Sequence, residues 1–315
     1  MPIENPSDPK QFRLPAGLLQ QIWNKHGLGA LRQHSYSRSG KVNPLLYVNH
    51  RYVLKINLRD PQLPKLRREA VVLRLLAGTE VPVPRLIALD ESRELMPYDY
   101  LIMSRLEGKE IYQNWDRLAP AMRGRLCRQA GQLLAVIHRQ QFPFFGDIAN
   151  GVGELPHWHL ALEQRLFRQL KDCQEWELYE PGFLDQVRAV FERAKSLLQS
   201  VERPCLVHND FHLGNLLYQG ARISGVLDFE WALAGDVAMD FSDPFTHEQA
   251  WQYMLEGYRR EHAFSPQFEA KISLYQLLTA LELSVVARQH WSQQQLAYYQ
   301  ERARHLLAAL QRSTY

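Results

Sequence analysis

Residues 208 to 218 read HNDFHLGNLLY: two histidines, an aspartate and an asparagine ahead of a strand-like apolar run. His208 and His212 are four apart, but Gly214 and Asn215 interrupt any helix and no glutamate lies between them as in a helical zinc motif. Asn215 follows Asp210 by five residues. Asp228 comes thirteen later, at the end of the mostly apolar run 223–227, and precedes Phe229 and Glu230. A carboxylate, a carboxamide and a second carboxylate at the ends of short strands suit phosphoryl transfer. Magnesium takes hard oxygen ligands and keeps several waters, so Asn215 and Asp228 are its candidate ligands. Asp210 is then the candidate to orient an attacking hydroxyl and accept its proton.

HxDxxxxN followed by an Asp-Phe pair resembles the protein-kinase-like fold. HND and DFE in particular resemble the aminoglycoside phosphotransferase and choline kinase families, as does GDVAMDFSD (235–243). The resemblance implies an ATP-dependent small-molecule kinase that uses magnesium, with GTP as another possible donor. It also implies a lysine on a strand, held by a glutamate on the next helix; VLKI supplies Lys55 and REAVVLRLL supplies Glu69. SYSRSGKVNPLLYV (35–48) resembles a reduced phosphate loop, with Ser39, Gly40 and Asn43 as its candidates. YLIMSRLEG (100–108) resembles the inter-lobe linker. There the Ser104 carbonyl and Leu106 amide would meet the adenine edge, with Met103 at the back of the pocket. By the same resemblance His208 holds the loop and Asp240 braces it through backbone amides.

These residues need elements to carry them. AGLLQQIWNKHG (16–27) reads as a short amphipathic helix. PLLYVNHRYVLKI (44–56) reads as two strands about the turn Asn49-His50, and 65–78 as a helix with Leu66, Ala70, Leu73 and Leu76 on one face. Two further strand-like runs follow, the second at 98–106. From Pro120 the helical period dominates: 125–138, 157–172, 183–200 and the tail 244–312. The exception is 205–228, which reads strand, loop, strand, turn, strand. The expected fold class is α+β and protein-kinase-like, in two lobes. An N-terminal lobe (1–107) has an antiparallel sheet and one main helix; a larger helical C-terminal lobe (108–315) carries catalysis and the acceptor.

Composition is that of a globular chain of 315 residues, 46% hydrophobic, with 37 basic against 34 acidic residues. So small a net charge gives no reason to expect nucleic-acid or membrane partners, although 51–74 is locally basic. Three cysteines without CxxC spacing exclude a disulfide framework and a zinc knuckle, and suit a cytoplasmic setting. No 18-residue apolar run suggests a membrane span. From Ile223 to Glu248 there are six acidic residues and no lysine or arginine. Such a rim would attract a cationic acceptor such as an amino sugar or other aminoglycoside-like molecule, with Glu230, Trp231 and Asp236 as candidate contacts. Choline or ethanolamine, thiamine and plain sugars are alternative acceptors. A nucleotide-binding pseudokinase without turnover is the non-enzymatic alternative.

Overall fold

The structure, a computed structural model, describes residues 11–15, 17–37, 43–149, 155–242, 248–265 and 267–313. In chain order the first elements are α1 (Leu18–Lys25), β1 (His34–Tyr36), β2 (Leu45–Val48), β3 (Tyr52–Ile56), α2 (Lys65–Leu75), β4 (Leu86–Asp90), β5 (Tyr100–Ser104), β6 (Lys109–Glu110) and α3 (Ile111–Asn114). Next come α4 (Pro120–His138), β7 (Gly146–Asp147), α5 (Trp158–Glu175), α6 (Phe183–Arg193) and α7 (Lys195–Gln199). β8 (Cys205–Val207), β9 (Leu216–Gln219), β10 (Arg222–Val226) and β11 (Leu233–Gly235) follow. Last are α8 (Glu248–Arg259), α9 (Phe268–His290) and α10 (Gln293–Arg312).

These elements pack as two units: Met1–Ala119 with Gly214–Trp231, and Pro120–Leu213 with Ala232–Tyr315. The 107/108 boundary expected from sequence is a single cut along the chain. The units follow packing instead, and the β9–β10 hairpin joins the first because β9 pairs with β6.

In the first unit an antiparallel sheet runs in the order β1-β2-β3-β5-β4. β3 is its central strand, and the two-residue periodicity of a strand splits its side chains. Leu54 and Ile56 join the core beneath α1, with Trp23, Leu46 and Tyr100. Val53 and Lys55 take the other face. β1 adds a fifth strand to the four expected; its sequence, HSY, lacks the apolar alternation that would announce it. α2 is the one long helix of the unit, and Leu66, Glu69, Ala70, Val72 and Leu73 on it are buried.

The second unit is mostly helical. β8, β11 and β7 form a small antiparallel sheet, with β11 in the middle. α9 is the core helix, with twelve buried positions including Leu274, Tyr275, Leu278 and Leu281. Cys127, Cys173 and Cys205 are free and buried. Burial pushes the thiols of Cys127 and Cys173 up to about 12 and that of Cys205 to about 11, so all three are inert.

Candidate active site

In the first unit the site is built around one ammonium group. Lys55 Nζ donates to Glu69 Oε2 and to Asp228 Oδ1, each at 2.8 Å, and lies 3.0 Å from Glu230 Oε2. Lys55 is 4% exposed and Glu69 is 2% exposed. Burial alone would lower the lysine pKa. The carboxylates of Asp228, Glu230 and Glu69 outweigh that and hold it well above its ordinary value. Burial pushes the Glu69 carboxyl up, and Lys55 pulls it only part of the way back. Three carboxylates, those of Glu69, Asp228 and Glu230, thus crowd round the Lys55 ammonium, and a second buried lysine, Lys65, lies 3.7 Å from Glu230.

Asp228 reaches this cluster from the end of the β9–β10 hairpin. Val226 N–H donates to Pro82 O at 2.8 Å and Leu227 N–H to Asn215 O at 2.9 Å, so the hairpin end is tied on both sides. Asn215 closes a 3-10 turn just before β9. Asp228 itself has φ +67°, a left-handed conformation uncommon outside glycine. Its side chain is 38% exposed, against 4% for Glu230. Among the described residues no three His, Cys, Asp or Glu side chains cluster as a metal cage. One carboxylate and one amide oxygen suit magnesium, which keeps water and phosphate as its other ligands.

Glu230 does not face an acceptor, contrary to the expectation. Besides Lys55 it accepts from Asn43 Nδ2 at 2.9 Å, and its other oxygen lies 3.7 Å from Lys65 Nζ. The Asn43 side chain is buried: it donates to Glu230 and accepts from Leu58 N–H at 3.2 Å. Ser39 and Gly40 lie outside the described residues. Lys65, 1% exposed, pairs with Asp60 at 2.5 Å and sits 4.3 Å above the Trp231 ring, so one face of that indole is taken. In the proposed adenine strip Met103 is buried. The Ser104 amide donates to Arg85 O, and the Ser104 hydroxyl accepts from Arg85 N–H. Leu106 lies against Gly225, where a Cβ would come within 3.0 Å of its Cδ1.

In the second unit β8 delivers the loop of His208, Asn209 and Asp210. Asp240 accepts from His208 N–H at 2.8 Å and from Asn209 N–H at 2.6 Å, one carboxylate oxygen to each amide. Asn209 has φ +62°. The buried His208 ring meets Phe211 edge-on at 5.5 Å. Asp210 is 34% exposed by its side chain, with His212 Nε2 3.5 Å from Oδ1. Asp236 is not available to an acceptor either. It is buried against Lys271 Nζ at 2.7 Å, receives the Tyr275 hydroxyl at 2.7 Å and caps Ala238 N–H. Of the six acids that suggested a cationic acceptor, Glu230, Asp236 and Asp240 are thus buried and engaged. The side chains of Asp243 and Glu248 lie outside the described residues.

Lys65, His138 and Lys271 were not singled out in the sequence. His138 ends the apolar face of α4 and Lys271 sits in an apolar helix; a charged or polar group where the period demands burial was the only local signal.

A model of the phosphotransferase enzyme family matches residues 38–264. Acyl-CoA dehydrogenase family member 11 of Homo sapiens is 23% identical over 293 residues, which cover 84% of this chain and 35% of that protein. The chain spans about a third of the length of these curated relatives. Among solved structures, the gentamicin complex of the aminoglycoside phosphotransferase APH(2")-IIa superposes with TM-score 0.70 at 19% identity, covering 96% of this chain and 98% of that one. A ternary complex of a thermostable mutant of aminoglycoside phosphotransferase APH(4)-Ia with AMP-PNP and hygromycin B gives 0.70 at 17% identity, covering 95% and 100%. At such identities the structural likeness establishes the fold.

Proposed function

The chain belongs to the phosphotransferase enzyme family, and we propose that it transfers the γ-phosphoryl group of ATP to a hydroxyl of a small molecule. The observation that carries this reading is the buried Lys55–Glu69 pair, joined by Asp228 from a hairpin 173 residues away in sequence. Lys55, fixed by Glu69 and Glu230, presents positive charge to the triphosphate. Asn215 and Asp228 are the residues to hold magnesium, which when bound neutralises phosphate charge. Asp210 orients the acceptor hydroxyl and takes its proton. The transition state of phosphoryl transfer is loose, so catalysis consists mainly of positioning and electrostatic stabilisation.

The acceptor is a small hydroxylated molecule. The APH(2")-IIa and APH(4)-Ia structures hold gentamicin and hygromycin B, which supports amino-bearing acceptors as the first arm of a screen. The burial of Glu230, Asp236 and Asp240 removes half of the acid count that had pointed the same way. Choline-like amines, thiamine and plain sugars complete the panel, with ADP or GDP release read for ATP and GTP in turn. Transfer to one acceptor class supports the reading; nucleotide binding without transfer to any acceptor or to water points to the pseudokinase. Asp210→Asn is expected to keep the fold and nucleotide binding while losing about 10²- to 10⁴-fold in turnover. Near wild-type turnover in that variant would remove Asp210 from the base role.

A further inference from the structure

Lys65 breaks two local rules at once. It is the first residue of α2, where the helix dipole favours anions, and it is buried, although lysine is almost never fully buried without a partner. Three groups hold its ammonium. Nζ donates to Asp60 Oδ2 at 2.5 Å, sits 4.3 Å above the Trp231 ring and lies 3.7 Å from Glu230 Oε1. The turn between β3 and α2 brings Asp60 back onto it. Asn57 Nδ2 donates to the carbonyls of Asp60 and Leu63, and Lys65 N–H donates to Leu63 O. The two acids differ in solvation. The Asp60 side chain is 36% exposed and that of Glu230 is 4%, so Glu230 depends far more on its protein partners. Those partners divide between its oxygens. Oε2 takes Lys55 Nζ at 3.0 Å and Asn43 Nδ2 at 2.9 Å, while Oε1 has Lys65 as its partner among the described residues.

We propose that Lys65 is a positioning residue for nucleotide binding. By holding Oε1 of Glu230 it leaves Oε2 alone to Lys55, and so keeps the Lys55 ammonium shared among Glu69, Asp228 and Glu230 and available to the triphosphate. Without Lys65 a buried carboxylate oxygen has no cation, and Lys55 is the ammonium beside it. Glu230 then draws Lys55 onto both oxygens and away from Asp228. The same loss takes a positive charge from the surroundings of the group that meets the phosphates. The inference rests on the phosphate-binding role proposed for Lys55. Every residue in this set of contacts lies in the first unit, whereas Asp210 lies in the second, so Lys65 governs nucleotide affinity and leaves KM for the acceptor alone.

The experiment is a double-mutant cycle on the full chain, with Lys65→Met, Glu230→Gln and the two combined, and Lys55→Met as control. Glutamine at 230 keeps an oxygen for Lys55 and Asn43 and carries no charge for Lys65 to answer. The readout is the dissociation constant for AMP-PNP with magnesium chloride by isothermal titration, which needs no acceptor. Thermal melting without nucleotide is measured alongside. Charged groups in contact couple strongly, so Lys65→Met is expected to weaken AMP-PNP binding about 5- to 20-fold. In the Glu230→Gln background the same substitution should change binding by about twofold or less. A merely structural Lys65 would lower the melting temperature and leave the dissociation constant where it was, which overturns the proposal. An equal loss of affinity with and without the Glu230 carboxylate also overturns it, since Lys65 would then act independently of Glu230. If Lys65→Met does not fold, Lys65→Gln replaces it in both arms with the same outcomes. The control separates the proposal from the reading beneath it. Weakened binding in Lys55→Met with normal binding in folded Lys65→Met overturns the role of Lys65 alone. Undiminished binding in Lys55→Met, or none by the unmodified chain, overturns the role of Lys55 and this proposal with it.

Discussion

At the scale of single residues, the buried charges of the first unit show why Lys55 cannot be treated as a catalytic group alone. Its ammonium is the shared partner of three carboxylates, two of them almost fully buried. Removing it leaves Glu69 and Glu230 without the cation they share, with Lys65, 3.7 Å from Glu230, still beside one of them. Breaking a buried ion pair from one side costs about 3–5 kcal/mol, chiefly through the charge left behind. Lys55→Met is therefore expected to lower the melting temperature markedly as well as abolish turnover. Adding Glu69→Gln should restore much of the stability and none of the activity, since it removes the stranded charge but supplies no group for the phosphates. Melting curves and ADP release on the two variants test this; a double variant no more stable than Lys55→Met would show that the loss came from packing. The Lys55–Glu69 pair was legible in the sequence because the family resemblance calls for a lysine on a strand held by a glutamate on the next helix, and VLKI and REAVVLRLL supply them. Lys65–Glu230 was not, because its partners are 165 residues apart and the DFE motif that holds Glu230 names no partner for it.

At the scale of elements, periodicity announced the longer helices and the strands β2 to β5, while β1, β6, β7 and β11 escaped it. Two or three residues are too few to show alternation, and such strands exist only because neighbours pair with them. Helix packing was equally hidden. α4 and α8 approach through glycines: a Cβ on Gly131 would lie 2.0 Å from Met254 O, and one on Gly257 would lie 2.0 Å from Arg128 O. Each glycine admits the backbone of the other helix, so alanine at either position must push the pair apart, at about 1–3 kcal/mol or more. Gly131→Ala and Gly257→Ala should each lower the melting temperature, and the double variant should fall short of the sum because the first displacement makes room for the second. Full additivity would indicate two independent contacts. In the first unit, α1 is tied to the sheet by Asp90, which is buried and takes Lys25 at 2.7 Å, the Tyr100 hydroxyl at 2.8 Å and Ser92. Burial works to raise its carboxyl pKa, but the bonds from Lys25, Ser92 and Tyr100 win and hold it far below the ordinary carboxylate value. A folded pKa below the unfolded one, about 3.9, contributes stability above that pH and loses it as pH falls through the folded value. Asp90→Asn should thus cost about 1–3 kcal/mol near neutrality. The gap from the unmodified chain should narrow as the medium is acidified below about pH 4. A gap independent of pH would deny Asp90 that role.

For the molecule as a whole, the family and the two-lobed α+β fold followed from motifs and periods, but three of the six acids of the expected rim, Glu230, Asp236 and Asp240, are buried. Sequence places charges in order along the chain and says nothing of which ones fold inward; Asp236 and Asp240 did because Lys271, Tyr275, His138 and two backbone amides await them. The same inward folding bears on α9. By length and composition this helix could cross a membrane, and the absence of such a segment was the expectation. It behaves as a core helix: Leu274, Tyr275, Leu277, Leu278 and Leu281 are buried, and Lys271 in its first turns forms an ion pair with Asp236. Extracting it to span a bilayer would strip the core of the second unit and strand a buried aspartate. A lysine or aspartate at the centre of a spanning helix costs about 2.5–3.5 kcal/mol, and the packing lost would add to whatever a less central Lys271 contributes. The purified chain is expected to partition into the aqueous phase in a detergent cloud-point separation and to melt with α9 still buried, its amides among the slowest to exchange hydrogen. Recovery of the folded chain in the detergent phase, or fast exchange along 268–290, would overturn the reading of α9 as the core of its unit.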